Sequence, residues 1–294
     1  MSTRARLAAF AAVLVAVFAG AVGVGRATGP VGPIGPDDDR QVLHAGEAAH
    51  GEDAHGGDHA ADLPGGLASS QDGLTLVLDE PTLAAGTREL AFRVEDAEGA
   101  PVTDYDVEHD ERMHLVAVRR DFSGFQHVHP KLDAAGTWRV PLDLTAGSWR
   151  VFADFVPGGG EDLTLGADLA VPGPTTVEDP TTPTRTATVD GSTVTLAGDL
   201  VAGETSDLEL SVSTDGKPVT DLQPYLGAYG HLVALREGDL AYLHVHPEDG
   251  PAGPTVAFGA EVPSAGRYHL YLDFKHAGVV RTAAFTVEAE HVHD

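Results

Sequence analysis

The chain has 294 residues and carries 45 acidic against 18 basic side chains, a formal net charge of −27. That balance argues against nucleic acid or an anionic membrane surface as a partner and favours soluble cationic partners, metal ions included. It contains no cysteine, which excludes a lipidated cysteine, a disulfide framework and a thiolate metal site, so stability and any metal chemistry rest on core packing, histidine and carboxylate.

Taken in chain order, Arg4 and Arg6 precede an apolar run from Leu7 to Val24 that is closed by Arg26. Residues 1–27 therefore read as a signal sequence or a transmembrane anchor that exports the body of the chain. The run is long for a signal-peptide core, and its small-x-small cleavage candidate, Ala19-Gly20-Ala21, sits inside the apolar stretch, which favours an uncleaved anchor. Residues 28–66 are rich in Gly, Pro, Asp and His without apolar periodicity and read as a disordered stalk. Its His44, His50, His55 and His59 either capture metal loosely or belong to a plain solvated linker.

From Leu74 onward, short β-prone runs alternate with Gly, Pro and Asp punctuation. Strands are predicted at Leu74–Leu78, Leu90–Val94, His114–Val118, Phe125–His129, Thr137–Leu142, Trp149–Phe155 and Leu163–Val171. A second set follows at Thr193–Leu196, Leu208–Val212, His231–Leu235, Tyr242–His246, Thr255–Val262, Tyr268–Phe274 and Arg281–Val287. Seven strands in about 100 residues is the immunoglobulin-like number. The expected fold is all-β: two tandem immunoglobulin-like antiparallel β-sandwiches at 67–171 and 186–288, behind the N-terminal segment and stalk. A Pro/Thr-rich linker at 172–185 joins them, and a His-containing tail occupies 289–294.

The two sets are copies of one text. His114-Leu115-Val116-Ala117-Val118 leads to His127-Val128-His129-Pro130, and His231-Leu232-Val233-Ala234-Leu235 leads to His244-Val245-His246-Pro247 with the same separation. Trp149 through Asp154-Phe155 likewise aligns with Tyr268 through Asp273-Phe274. The period of about 117 residues is too long for a solenoid and makes this a tandem domain duplication. What each unit repeats is three His and one Asp.

Residues two apart on a strand share a face, so His127 and His129 project together, as do His244 and His246, with Cα atoms roughly 6.5–7 Å apart. The strand bearing His114 (or His231) most simply forms a hairpin with the pair, and the parity of the connection decides whether all three imidazoles share one face. Three His from two adjacent strands suit zinc and also copper(II), with Asp154 or Asp273 as a fourth ligand or as an acceptor that fixes an imidazole tautomer. The metal candidates are thus His114, His127, His129, Asp154, His231, His244, His246 and Asp273. The competing reading packs these rings under the following turn as core hydrogen-bonding residues. Met113 could serve copper(I), but alternation points it away from His114. His269 and His276 read as surface residues, and the pair His291 and His293 as a frayed terminus.

The motifs Met113-His114-Leu115, Gly124-Phe125-Gln126-His127-Val128-His129-Pro130, Tyr229-Gly230-His231 and Leu243-His244-Val245-His246-Pro247 resemble those of a family of exported actinobacterial two-domain His-rich proteins of unassigned function. More distantly the units are similar to YtkA-like and FixH-like extracytoplasmic β-sandwich domains, some linked with copper handling; that resemblance implies a metal role. With two Met and no Cys, this chain lacks the soft ligands of those relatives. No nucleophile elbow, cysteine nucleophile or phosphate-cradling loop is present, so no enzyme is expected; a three-His zinc with open coordination is the one hydrolytic route. The expectation is an extracytoplasmic protein, anchored or secreted, that binds copper or zinc ion for buffering or delivery, with another cell-envelope protein as a further partner. The rival is a structural or protein-interaction module at the cell surface.

Overall fold

The computed structural model describes residues 64–177, 182–243, 245–248 and 250–290. The N-terminal segment, the stalk through residue 63, His244, and the terminal His291 and His293 lie outside the described residues. Among the described residues every regular element is a strand, and no helix is long and apolar enough to cross a membrane.

The first repeat contains β1 (Ser70–Gln71), β2 (Leu74–Leu78), β3 (Gly86–Glu95), β4 (His114–Arg119), β5 (Gln126–Val128), β6 (Lys131–Leu132), β7 (Trp138–Leu144), β8 (Gly147–Phe155) and β9 (Leu163–Val171). They form two antiparallel sheets, β1-β2-β3-β7-β6 and β5-β4-β8-β9. The second repeat contains β10 (Thr186–Val189), β11 (Ser192–Ala197), β12 (Leu200–Val201), β13 (Thr205–Thr214), β14 (Lys217–Pro218), β15 (His231–Arg236), β16 (Tyr242–Leu243), β17 (Val245–Pro247), β18 (Thr255–Glu261), β19 (Gly266–His276) and β20 (Val279–Glu290). Its sheets are β10-β11-β13-β18-β17, with β14 on β13, and β12-β20-β19-β15-β16. In both repeats the first of the seven predicted strands pairs with the second and the second with the fifth, while the third pairs with the sixth and the sixth with the seventh. That is the immunoglobulin Greek key, and it rests on strand order alone.

Alternation along the strands builds each core. β7 reads buried at every second residue from Trp138, the signature of a sheet with one wet face. In the first core Tyr105 meets Trp138 edge-on at 5.1 Å and Phe155 at 5.6 Å; in the second, Phe258, Phe274 and Tyr268 are fully buried.

β4 does not alternate. All six of its residues are buried, and so are five of the six in β15. Leu115 and Ala117 face the core of their own sandwich, whereas Val116 and Val118 join Phe152, Val233, Leu235, Leu240 and Tyr271 in a separate apolar cluster. The two repeats therefore pack through the outer faces of their β4 and β15 sheets. Each aliphatic side chain buried there contributes about 1.5–3 kcal/mol relative to exposure. Phe125 stacks on Tyr271 at 3.9 Å and Phe122 on His269 at 3.7 Å. The loops after β4 and β15 each turn through a bulky residue with positive φ, Phe122 at 64° and Leu240 at 63°, and both side chains are held in this interface cluster.

The start of the described chain laces the two repeats together. Tyr242 N–H donates to Gly65 O at 2.9 Å, and Gly66 N–H donates to Thr164 O at 2.8 Å. Pro64–Gly66, assigned to the stalk by composition, are thus seated in backbone pairing; the hydrogen bonds of two sheets outweigh the flexibility that their Pro and Gly content suggests.

Candidate metal centre

The register of β4 with β5 sets Leu115 opposite Val128 and Val116 opposite His127. One step further along, His114 faces His129, so the loop has the parity that puts all three imidazoles on one face. That face is the outer one, toward the second repeat. Ring centroids lie 5.4 Å apart for His114 and His127, 5.0 Å for His114 and His129, and 5.1 Å for His127 and His129. One nitrogen from each of the three lies within 4.8 Å of the others.

The second repeat closes the site. Asp273 stands opposite His231 in the β15–β19 ladder, as Asp154 stands opposite His114 in β4–β8. Its Oδ2 accepts from His127 Nδ1 at 2.8 Å, and its Oδ1 accepts from the Thr282 hydroxyl at 2.5 Å. A carboxylate of one repeat thus orients a histidine of the other. His231 sits at the same junction, 6.3 Å from His127 and 6.4 Å from His114 between centroids.

Hydrogen-bond roles fix the tautomers. His114 Nε2 lies 3.1 Å from Glu108 O, and a carbonyl only accepts, so Nε2 carries the proton and neutral His114 has a bare Nδ1. His127 Nδ1 faces a carboxylate and so carries a proton; in the neutral imidazole that ligation requires, Nε2 is bare. His114 Nδ1 and His127 Nε2 are 3.2 Å apart; a proton on His127 Nε2 joins them, and with both rings neutral two lone pairs face one another. His129 Nε2 is buried and has no hydrogen-bond partner. The three rings thus offer one nitrogen each around a common point, an arrangement that suits a cation between them.

Burial, reinforced by the neighbouring imidazoles, lowers His114 to about 3 and His129 and His231 each to about 4. All three are neutral at neutral pH, the state that ligation requires. No soft donor belongs to the set: Met113 is 1% exposed and packs in the core of the first sandwich.

The other sequence-predicted residues are not part of the triad, although Asp154 and His246 line the cavity beside it. Asp154 accepts from the Thr164 hydroxyl at 2.9 Å and from the Tyr242 hydroxyl at 3.5 Å. Burial and then the charge of Asp162 raise its carboxyl to about 8. His246 is exposed and paired opposite Gly259, because the predicted strand Tyr242–His246 divides: β16 stays with β15 and β17 crosses to β18 in the other sheet. Crossing between sheets ends the shared face that alternation alone would give. His244 lies outside the described residues. His269, read as a surface residue, is 2% exposed because the first repeat covers it, with Nε2 3.2 Å from Glu237 Oε2. Two members of the cluster escaped the sequence reading. His109 meets His231 edge-on at 5.3 Å, and Tyr225 lies edge-on to His231 at 6.0 Å. Both stand five or six residues before a repeated His, the signal that could have found them.

A polar cavity of about 60 Å³ opens beside the centre, lined by Glu108, His109, His114, His127, Asp154, Asp162 and His231 among others. The model of a domain of unknown function, DUF8832, matches residues 69–172 and again 187–291. The chain belongs to the DUF8832 family. The match does not support the YtkA-like or FixH-like resemblance. No curated protein matches the chain. Among solved structures it is similar to FdeC, an Escherichia coli adhesin, at 15% identity and a TM-score of 0.26, covering 76% of this chain and 65% of that one. It is also similar to Yersinia pseudotuberculosis InvD, at 13% identity and a TM-score of 0.25, covering 76% and 58%. The chain thus spans less than two thirds of the length of either.

Proposed function

We propose that this DUF8832 protein is an extracytoplasmic metal-binding protein that holds one zinc or copper(II) ion on His114 Nδ1, His127 Nε2 and His129 Nε2, for buffering or delivery rather than catalysis. The observation that carries the reading is the convergence of the three imidazoles, one nitrogen of each within 4.8 Å of the others and His114 Nδ1 only 3.2 Å from His127 Nε2. An all-imidazole set without sulfur suits zinc and copper(II) and disfavours copper(I). The apolar N-terminal run supports export, with the body either anchored by that segment or released.

The test is calorimetric titration of zinc and copper(II) into the full chain and into the triple variant His114→Ala, His127→Ala, His129→Ala. The His-rich stalk is common to both, so the difference isolates the centre. Loss of one tight site per chain in the variant is the expected result. Equal uptake by both proteins favours the second reading, a non-catalytic structural or interaction module whose histidines hydrogen-bond the repeats together. The cross-repeat bond between His127 and Asp273 is the observation behind that alternative.

A further inference from the structure

We infer that His231 of the second repeat is the fourth ligand of the first repeat's triad, so that the bound ion staples the two repeats together. This rests on the metal reading of the triad and adds to it. His231 Nε2 lies 3.0 Å from Tyr225 O and 3.1 Å from Leu226 O, so its proton is committed to carbonyls and Nδ1 is left bare. His114 is locked in the same way, by the carbonyl six residues upstream, Glu108 O. The duplicated hairpins thus prepare the same nitrogen of both residues for ligation, and in His114 that nitrogen faces the centre.

Ring spacing gives the geometry. Imidazoles bound through nitrogen at about 2.0–2.1 Å from a tetrahedral ion have centroids about 5.2 Å apart. The three rings of the first repeat stand at 5.0, 5.1 and 5.4 Å. His231 stands at 6.3 and 6.4 Å from His127 and His114, about 1 Å beyond that spacing, so it must move toward the triad to join it. The two carboxylates at equivalent positions are engaged: Asp273 with His127 and Thr282, Asp154 with Thr164. His231, 8% exposed at the junction, is the second repeat's donor within reach, while His109 of the first stands 6.2 Å from His114. Four neutral imidazoles make a closed zinc site, which holds an ion and leaves no position for activating water.

Full-length protein with one equivalent of zinc is examined by X-ray absorption, and its affinity is measured by competition with a chromophoric chelator beside His231→Ala and His114→Ala. Four imidazoles around zinc in the native protein, and a loss of affinity of about 100-fold or more in His231→Ala, are expected, a larger effect than the ~10–100-fold typical of outer-shell changes. Three imidazoles with oxygen, together with unchanged affinity in His231→Ala, overturns the staple while the triad stands. Unchanged affinity in His114→Ala overturns the triad itself. The absorption count is made on unsubstituted protein, so it decides the matter even if His231→Ala does not fold.

Discussion

The segments beginning at His114 and at His231 share four of five residues yet end in different surroundings. In the first repeat the strand's partner stays in the same sheet and delivers His127 and His129 to His114. In the second the partner crosses over after Leu243 and delivers His246 to the exposed edge of the other sheet. What survives of the repeat on both sides is the first His, its carbonyl lock and the Asp opposite it. The duplication has therefore been divided: one copy supplies a triad, and the other supplies the carboxylate that orients it and the imidazole that faces it. A domain pair can build one deep site at its junction where each domain alone presents only an open sheet face.

The largest effect should come from challenging that junction. Val116 is fully buried on the outer face of β4, against the second repeat. Val116→Asp places a charge there without a partner, and a loss of about 3–5 kcal/mol in urea-unfolding stability is expected. On a tethered pair with solvated outer faces the same change would stay within about 0.5 kcal/mol, and that result would sink the composite site.

Next comes the contrast between the two equivalent acids. Asp273→Ala removes the acceptor of a buried His127 bond and should cost about 1.5–3 kcal/mol. It should also lower zinc affinity about 10–100-fold, because the His127 tautomer is no longer fixed. Asp154→Ala touches no histidine bond and should leave zinc affinity unchanged. Equal effects of the two substitutions on affinity would show that the repeats act symmetrically after all.

How much of this was legible in the text follows from the physics of strands. Alternation and turn residues suffice for the seven main strands of the first repeat and six of the second, because those patterns are local; Tyr242–His246 divides between two sheets. The short edge strands, such as Lys131–Leu132 and Leu200–Val201, have only two residues and no period to read. The triad was legible only as one of two alternatives, because the parity of the hairpin, which the register of β4 with β5 decides, cannot be read before the strand ends are known. The link from His127 to Asp273 spans 146 residues, and no local pattern encodes it. One clue was present: Leu115-Val116-Ala117-Val118 and Leu232-Val233-Ala234-Leu235 are unbroken apolar runs, the mark of a strand buried on both faces. Followed through, it places the outward residues, His114 and His231 among them, beneath a second layer.

The junction also sets the response to acid. His114, His129 and His231 are depressed to about 3–4, below the ordinary value of 6.5. The unfolded chain binds protons that the native state refuses, so stability is complete above pH 6.5 and is lost as pH falls toward 4. Thermal unfolding of the metal-free protein from pH 7.5 down to pH 4.5 should show a steady fall in Tm. The variant His114→Asn, His129→Asn should show a shallower one. Parallel curves would mean that these rings are solvated and that the repeats are not docked over them.

The smallest and most selective effect belongs to Asp154, whose titration runs the other way. Its carboxyl is raised to about 8, chiefly by burial and then by Asp162, so the native state holds a proton that the unfolded chain releases near 4. A raised acid contributes fully below the unfolded value, and its contribution declines as pH rises through the folded one. Above pH 8 the native state must therefore carry a disfavoured charge. Asp154→Asn keeps the acceptor for Thr164 and removes the charge. The variant should match the parent near pH 4 and exceed it by about 1–2 kcal/mol at pH 9. Asp273→Asn, the same change at the equivalent position, disturbs an acceptor shared by His127 and Thr282 and should destabilise the protein instead. If both variants gain alike at pH 9, the two acids sit in one environment, and the division of labour between the repeats is wrong at the residues that define it.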